Sequence, residues 1–447
     1  MGLMERLLDR LRKLIPTPVL DFIRPAYHYS LAVASALFYR FPGRQLTVIG
    51  VTGTKGKSTT CALAASVLET GGAKVGMISG IVFKVGENEI PNETMMTSLG
   101  RFRTQKLLRQ MVKSGCTHAV LEVSSHALHW HRVWGIPFCT AVFTNLSKDH
   151  MELHKTMENY RAAKGKLFAK LAKGRAGKTS SVVNGDDTEA PFFLEFLADQ
   201  KYVFGKRPEA AELTPLAHTV IADRPRVTEK GSSFTVRADE ESFEVVTRLP
   251  GEFNVSNALA AVAIGRAHGI AAKDIVRGID AVKGVAGRLE RIEAGQPFSI
   301  VVDFAHTPTS FDAALGALRP ITAGRLITVF GAPGNRDSSK FPAMGAAAAK
   351  YSDFMVLTED DPGTEDPVDL VKPLIEGIGA AGKSESDYAI ELDRRKAIRK
   401  AFAMAKRGDT VALLAKGHHT TMRYADGHRP WDDRVVAAEE AAKLSRE

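Results

Sequence analysis

Cysteine is scarce. The 447 residues hold three, Cys61, Cys116 and Cys139, an odd number with no Cys-x-x-Cys pair. That argues against a disulfide framework and a cysteine-ligated zinc centre, and it suits a reducing compartment. No run of about 18 uninterrupted apolar residues occurs, and the start lacks a compact apolar stretch with a small-residue cleavage site, so neither a spanning helix nor a secretory leader is expected. Internal repeats and long low-complexity tracts are absent. No basic run is interleaved with aromatics, so the net charge of +9, from 60 Lys+Arg against 51 Asp+Glu, does not read as a nucleic-acid footprint. A spread positive charge suits polyanionic small substrates or an anionic surface. What is present, 44% apolar and 25% charged residues over a length of two to four domains, is the composition of an ordinary globular protein.

The first 44 residues predict a short helical hairpin. Leu3, Met4, Leu7, Leu8, Leu11 and Leu14 fall at helical spacing, with Arg6, Arg10, Arg12 and Lys13 on the other face. Residues 26–41 (AYHYSLAVASALFYRF) form a second, apolar segment with Tyr and Phe at its ends. Two readings stay open: packing on the rest of the chain or a second subunit, or peripheral membrane contact through residues 1–41. The expected location is cytoplasmic, with membrane association on the second reading. Nothing in the sequence sets an oligomeric state.

Beyond residue 45 the pattern alternates. Strand-like runs at 46–51, 75–79, 118–123, 139–144 and 181–183 are separated by helical stretches at 57–68, 102–114 and 157–173. Such alternation predicts an α/β fold with a mainly parallel sheet. Shorter β-like runs over 216–248 suggest an antiparallel extension, and LPGEFN opens a new helix. A second α/β series begins near Phe298 (FSIVVDF, LITVFGA, FMVLTED, TVALLAK). The division expected is 1–44, 45–290 and 291–447.

Gly50-Val51-Thr52-Gly53-Thr54-Lys55-Gly56-Lys57-Ser58-Thr59 lies between strand and helix, where backbone amides can surround a phosphate chain. Lys57 can reach the β/γ oxygens and the Ser58 hydroxyl can ligate Mg²⁺. The match to a P-loop is loose at one point, because Val51 stands where the first glycine falls. Glu122 ends a strand candidate, where open α/β sheets bind ligands. His150 follows the next strand, and Lys164 comes fourteen residues later. Alone, Glu122 reads as a surface or capping residue and Lys164 as a solvated helix lysine.

Together they carry a resemblance. TGTKGKST, EVSSHAL, FTNLSKDHMELHKTMENYRAAKGKLF, GEFNVSNALAA, GRLE, VVDFAHTP, FGAPGNRDSSKFPAMG and AKGHH stand in the order found in Mur ligases, and the whole resembles the tripeptide synthetases (MurE type) from Leu46 onward. The resemblance implies a P-loop central Mur ligase domain that binds ATP and a Rossmann-like C-terminal Mur ligase domain. It implies an ATP-dependent enzyme that adds an amino acid to a UDP-N-acetylmuramoyl-dipeptide or related muramoyl peptide through an acyl phosphate, in peptidoglycan synthesis. ATP would be held by Gly53, Thr54, Lys55, Gly56, Lys57, Ser58 and Thr59, with Asn254 and Asn257 by the adenine and Arg288, Asp303, His306 and Arg336 from the C-terminal side. Two Mg²⁺ sites are implied: Ser58 with Glu122, and Glu122 with His150 and a carbamylated Lys164. Lys57, Glu122, His150 and Lys164 are the catalytic set. Ser124 and Arg132 match positions that touch the acceptor, and Asp337, Lys340, Asp360, Asp361, Lys416 and His419 lie where the substrates are bound.

Three departures accompany the resemblance. The phosphate loop begins near residue 50, where MurE-type enzymes have a uridine-nucleotide domain before it, so a lipid-linked acceptor is the alternative to a nucleotide-linked one. The Asp-Asn-Pro-Arg segment that recognises diaminopimelate reads Asp360-Asp361-Pro362-Gly363, without a guanidinium. The acidic residue after Gly-Lys-Gly-His is His419. The two aspartates then suggest a basic amino acid such as lysine. Trp130 replaces a polar residue near the acceptor, and His126, His129 and His131 read as structural or substrate-facing rather than as metal ligands. Two further alternatives are a ligase of polyglutamate or folate type and a nucleotide-gated scaffold. EVSSHAL and VVDFAHTP weigh against the first, and the intact Lys57–Glu122–His150–Lys164 set weighs against the second.

Overall fold

The run LTVIGV becomes a strand, β1 (Thr47–Thr52), buried along nearly its whole length because parallel neighbours flank it on both sides. In this computed structural model, which describes residues 17–94, 96–171, 178–214 and 216–444, the chain continues as β2 (Val75–Ile78), β3 (Val82–Val85), β4 (Asn88–Pro91), β5 (His118–Glu122), β6 (Thr140–Phe143), β7 (Ser180–Asn184), β8 (Gln200–Gly205), β9 (His218–Thr228), β10 (Gly231–Ala238) and β11 (Glu241–Thr247). These form one sheet in the order β11-β10-β9-β8-β7-β6-β1-β5-β2-β3-β4. The pairs from β9 through β2 are parallel, and β3 and β4 turn back antiparallel. In register, Val51 faces Glu122 and Thr52 faces Phe143. The C-terminal ends of β1, β5 and β6 therefore share one edge.

Two compact units divide the chain. The first comprises Met1–Ile221, Arg237–Ser242 and Ser256–Gly278; the second comprises Ala222–Val236, Phe243–Val255 and Ile279–Glu447. In the second, β12 (Glu290–Ile292), β13 (Ser299–Val302), β14 (Leu326–Phe330), β15 (Phe354–Leu357), β16 (Tyr388–Ile390) and β17 (Thr410–Leu413) form a sheet in the order β12-β13-β17-β14-β15-β16, parallel except for β12. Alternation along these strands sends side chains to two cores. Val301, Phe330, Met355 and Ala412 join the layer of helices Pro308–Leu318, Phe341–Tyr351 and Pro367–Ala380. Ile300, Val302, Ile327, Val329 and Val411 join helices Arg394–Met404 and Asp433–Leu444 on the other face. A hairpin of β18 (Thr421–Tyr424) and β19 (Gly427–Pro430) stands apart from that sheet.

The α/β alternation holds. The expected helix over 57–68 is Lys57–Thr70 and that over 102–114 is Arg101–Lys113, whereas the stretch 157–173 ends its helix at Phe168. The segment expected to be helical over 26–41 lies in a longer helix, Thr17–Phe38, with Pro25 inside it. Left-handed backbone at Arg40 and Phe41 stops it. Ala32, Ser35 and Ala36 are buried, and Arg109 of helix Arg101–Lys113 donates through Nε and Nη2 to Tyr39 O at 3.1 and 2.7 Å, tying down the helix end. This segment packs within the first unit. The amphipathic stretch 3–14 lies outside the described residues, and among those described no helix is long and apolar enough to cross a membrane.

Candidate active site

The turn after β1 is built for close approach. Gly53 (φ 151°) and Gly56 (φ 80°) have backbone that side-chain-bearing residues rarely adopt, and a Cβ on either would collide with Thr144 Oγ1 or Asn257 Oδ1 respectively. The segment after β6 clamps the turn: Lys55 N donates to Asn145 Oδ1 at 2.9 Å, Asn145 Nδ2 to Lys55 O at 3.0 Å, and Thr144 Oγ1 to Lys55 O at 2.7 Å. No side chain caps the N-terminus of helix Lys57–Thr70. The dipole of this helix favours negative charge at that end.

Glu122 faces this turn from the end of β5. Its Oε2 accepts from Ser58 Oγ and from Gly80 N, both at 2.7 Å, and Lys57 Nζ stands 3.9 Å from Oε1 while donating to Thr54 O at 2.8 Å. A hydroxyl and a carboxylate oxygen at one point are the hard donors Mg²⁺ selects, so this pair fits the ion. Asn257 lies beside Gly56, and its Oδ1 accepts from Thr60 Oγ1 at 3.3 Å.

Lys164 is fully buried on helix Met157–Phe168, with Nζ donating to Gly53 O at 2.7 Å and lying 4.3 Å from the Tyr160 ring centre. Burial foremost, then the Lys57 charge, pushes its amine well below the usual lysine range. Burial therefore favours the neutral form of the amine over the ammonium. Tyr160 in turn meets Thr54 Oγ1 through its hydroxyl at 3.3 Å.

His150 does not join Glu122 and Lys164 as expected. Its backbone is left-handed, and its half-exposed ring turns toward Glu152 (Nδ1–Oε1 3.4 Å), Asp149 and the His126 ring, 4.7 Å away between centroids. His126, His150 and Glu152 bring one ligand atom each to within 4.8 Å of one another, so His126 stands in a metal-competent group although its sequence context suggested otherwise. Burial foremost, then His150, lowers the His126 pKa to about 4. At the acceptor positions, Ser124 Oγ accepts from Ala127 N at 3.2 Å and caps the short helix Ser125–His129, while Arg132 Nη1 donates to Ser98 O at 2.8 Å.

The second unit places its residues by backbone hydrogen bonds. Asp303 accepts from Leu289 N and Ala305 N at 2.8 and 2.7 Å, His306 Nδ1 donates to Phe304 O at 2.8 Å, and the Arg288 guanidinium lies 4.9 Å over the Phe304 ring. Asn254 is buried and donates its amide to Pro250 O at 2.7 Å. Arg336 and Asp337 are exposed, Lys340 is half-buried, and Asp337 Oδ1 accepts from Ser339 N.

Asp360 and Asp361 do not form a free acidic pair. The fully buried Lys416 donates to Asp361 Oδ1 at 2.8 Å and lies 3.8 Å from Asp360 Oδ1. Burial pushes Asp360 up to about 6 against the opposing Lys416; for Asp361 the same burial is outweighed by Lys416, which holds it low. The basic amino acid these aspartates suggested would meet an ammonium already in place. His419 is pushed down to about 4 by burial and then Lys416, so it is neutral near pH 7.

Arg423 on β18 was not anticipated. Its Nη2 donates to Gly334 O at 2.6 Å and lies 3.3 Å from where a Cβ on Gly363 would stand. The Arg423 and Gly363 backbones are joined by Gly363 N donating to Arg423 O at 3.1 Å. A guanidinium thus stands beside the position whose own side chain lacks one.

The family model of the Mur ligase middle domain matches residues 51–265, and that of the Mur ligase, glutamate ligase domain matches residues 287–417. The chain is 38% identical over 443 residues to the UDP-N-acetylmuramyl-tripeptide synthetase of Roseiflexus sp. (strain RS-1), covering 96% of this chain and 85% of that one. The chain is a Mur ligase. It is also 38% identical to the UDP-N-acetylmuramoyl-L-alanyl-D-glutamate–2,6-diaminopimelate ligase of Solibacter usitatus (strain Ellin6076), over 92% of this chain and 80% of that one. Among solved structures, a UDP-N-acetylmuramoyl-L-alanyl-D-glutamate–2,6-diaminopimelate ligase shares the fold with TM-score 0.63 at 29% identity, covering 90% of this chain and 79% of that one. A Mycobacterium tuberculosis folylpolyglutamate synthase complexed with ADP has TM-score 0.69 at 18% identity, over 95% and 96% of the two chains; at that identity the likeness is one of fold.

This Mur ligase brings Lys57, Ser58, Glu122, Asn257 and Lys164 around the glycine turn. Thr144, Asn145, Tyr160 and Gly80 complete that setting and were missed from sequence. Tyr160 had a signal, since it precedes Lys164 by four residues on one helix and shares its face.

Proposed function

We propose that this Mur ligase joins an amino acid to the free carboxylate of a UDP-N-acetylmuramoyl-dipeptide or a related muramoyl peptide, with ATP converted to ADP and phosphate. The observation that carries the reading is the contact of Ser58 and Glu122 beside Lys57 at the glycine turn. The acceptor carboxylate oxygen attacks the γ-phosphorus as the bond to the β–γ bridging oxygen breaks, giving an acyl phosphate and ADP. The amine of the amino acid then attacks the acyl carbon, loses a proton, and the tetrahedral adduct expels phosphate to leave the amide.

In this scheme the turn amides and Lys57 hold the β/γ-phosphates and offset the charge on the transferred group. Ser58 and Glu122 would hold Mg²⁺, which when bound supplies Lewis-acid stabilisation of the phosphoryl oxygens. Lys164, whose burial favours the neutral amine, has the lone pair needed to add CO₂ with loss of a proton, and the resulting carbamate would offer an anionic oxygen ligand. His150, with His126 and Glu152 as neighbours, would supply an imidazole ligand to a second metal. Ser124 and Arg132 face the acceptor. Asp337, Lys340, His419 and the Asp360–Asp361–Lys416 cluster belong to the amino-acid side, where Arg423 provides the guanidinium that pairs with a carboxylate.

The test is phosphate release from ATP and Mg²⁺ with UDP-N-acetylmuramoyl-dipeptide and a panel of diaminopimelate, lysine and ornithine, with product masses recorded. The expected outcome is stimulation by diaminopimelate and the matching mass gain, because a guanidinium is present and no free acidic pair awaits a lone ammonium. Stimulation by lysine alone would overturn the Arg423 assignment. Silence with every amino acid would overturn the nucleotide-linked acceptor.

A further inference from the structure

Trp130 is the centre of a cationic cluster of which the chemistry above uses only Arg132. Arg101, at the start of helix Arg101–Lys113, donates through Nη2 to Trp130 O at 2.5 Å, while its Nε is buried and has no hydrogen-bond partner. On the other side, the His28 ring from helix Thr17–Phe38 meets the Trp130 indole edge to face at 4.6 Å, and its Nδ1 is likewise buried without a partner. Arg132 approaches from the same loop and is anchored to Ser98 O. His131 packs against Tyr29, 5.6 Å between ring centres. Among the described residues no Asp or Glu pairs with Arg101 or Arg132.

Such a cluster is costly unless something negative completes it. Half-buried guanidinium groups repel one another, and buried N–H donors without acceptors each carry a desolvation penalty. The electrostatics of its members run the same way: His28 is pushed down to about 4 by burial first and then by Arg101, Arg132 and Arg24, and Arg101 is lowered by burial and then by Arg132. Backbone carbonyls take one donor from each arginine, and the forks have further N–H groups to offer. Planar guanidinium forks with an adjacent imidazole are the donor set that recognises a tetrahedral oxyanion, and the aromatic rings of Tyr27, Tyr29 and Trp130 border it.

We propose that Arg101, His28 and Arg132 around Trp130 form a binding site for a phosphate or diphosphate group. Ser98 connects the cluster to the reaction centre, since its hydroxyl donates to Glu122 O at 3.1 Å and accepts from Ser124 N at 3.0 Å. The diphosphate is the one that links the muramoyl sugar of the acceptor to its carrier. That identity rests on the function proposed above, whereas the oxyanion site itself does not.

The experiment compares three acceptors in the full chain: UDP-N-acetylmuramoyl-dipeptide, a prenyl-diphosphate-linked muramoyl dipeptide and N-acetylmuramoyl-dipeptide without phosphate. Arg101→Ala should raise KM for a diphosphate-bearing acceptor about 10- to 100-fold, the loss of a charged bidentate contact. It should leave kcat, KM for ATP and KM for the phosphate-free acceptor unchanged, and Arg101→Lys should recover part of the loss. A nucleotide source is shown by preference for the first acceptor, a lipid source by preference for the second. Equal KM changes for all three, or none for either diphosphate, would overturn the proposal. If no acceptor turns over, inorganic pyrophosphate added to the ATP-saturated protein still tests the site: the His28 ring proton signals should shift saturably in the wild type and not in Arg101→Ala, and no shift in the wild type would overturn it.

Discussion

At the scale of single residues, Lys164 and His268 show how burial chooses a protonation state. Lys164 has its amine against a carbonyl and a tyrosine face, with the Lys57 charge nearby, so a neutral amine is what the site stabilises. If it becomes a carbamate that ligates metal, Lys164→Ala removes several kcal/mol of transition-state stabilisation, on the order of a hundredfold or more in kcat. Turnover of the wild type should rise with added bicarbonate and that of the variant should not; a variant with full turnover at low Mg²⁺ would dispose of the carbamate. His268 is buried against Thr140 Oγ1 (Nε2–Oγ1 3.0 Å) and pushed to about 4 by burial, then by His118. Its folded pKa lies below the unfolded value of about 6.5, so the unfolded chain takes up the proton first as pH falls. The stability it contributes is complete above pH 6.5 and is lost between about 6.5 and 4, roughly 3 kcal/mol for this one group. Urea unfolding across that range should show a slope to which His28, His126 and His419 also contribute, and His268→Gln should reduce it by the share of this one group.

At the scale of elements, the site is a property of strand ends. Three parallel strands, β1, β5 and β6, deliver the glycine turn, Glu122 and Thr144–Asn145 to one edge because their registers align. This was largely legible beforehand: apolar runs, a glycine turn and a terminal carboxylate follow a local grammar that period and position reveal. His150 was legible in identity and not in direction, since a left-handed backbone at a non-glycine residue has no sequence signal. The pairing of Asp360 and Asp361 with Lys416, and the arrival of Arg423 beside Gly363, join segments some 55 to 60 residues apart through β17 and the β18–β19 hairpin. No periodicity encodes such a meeting. Arg423 belongs to this scale: Arg423→Ala should raise KM for the amino acid about tenfold with little change in KM for ATP. Equal loss for both substrates would mark a folding defect of the hairpin instead.

At the scale of the molecule, the second unit is pinned by an ion pair with no exposure at either partner. Arg394 donates through Nε and Nη2 to Asp433 at 2.8 and 2.6 Å and through Nη2 to Leu414 O, and Trp431 Nε1 donates to the same carboxylate at 2.8 Å. The pair ties helices Arg394–Met404 and Asp433–Leu444 to the end of β17. Asp433→Ala leaves the guanidinium buried without its partner and should cost about 3–5 kcal/mol in urea unfolding, whereas replacing both residues by apolar ones of similar size should recover most of it. A single-site loss below about 1 kcal/mol would show that water or another acceptor reaches Arg394.

The chain passes between its two units five times, and short stretches of β9, β10 and β11 fall on alternating sides of the division. One consequence concerns inheritance. A single genetic crossover at residue 279 would exchange most of the second unit yet leave 222–236 and 243–255 from the other parent. Chimaeras with related ligases therefore need matched breakpoints on both flanks of the β9–β11 meander, and natural shuffling of the two units as separate cassettes is obstructed by the path of the backbone.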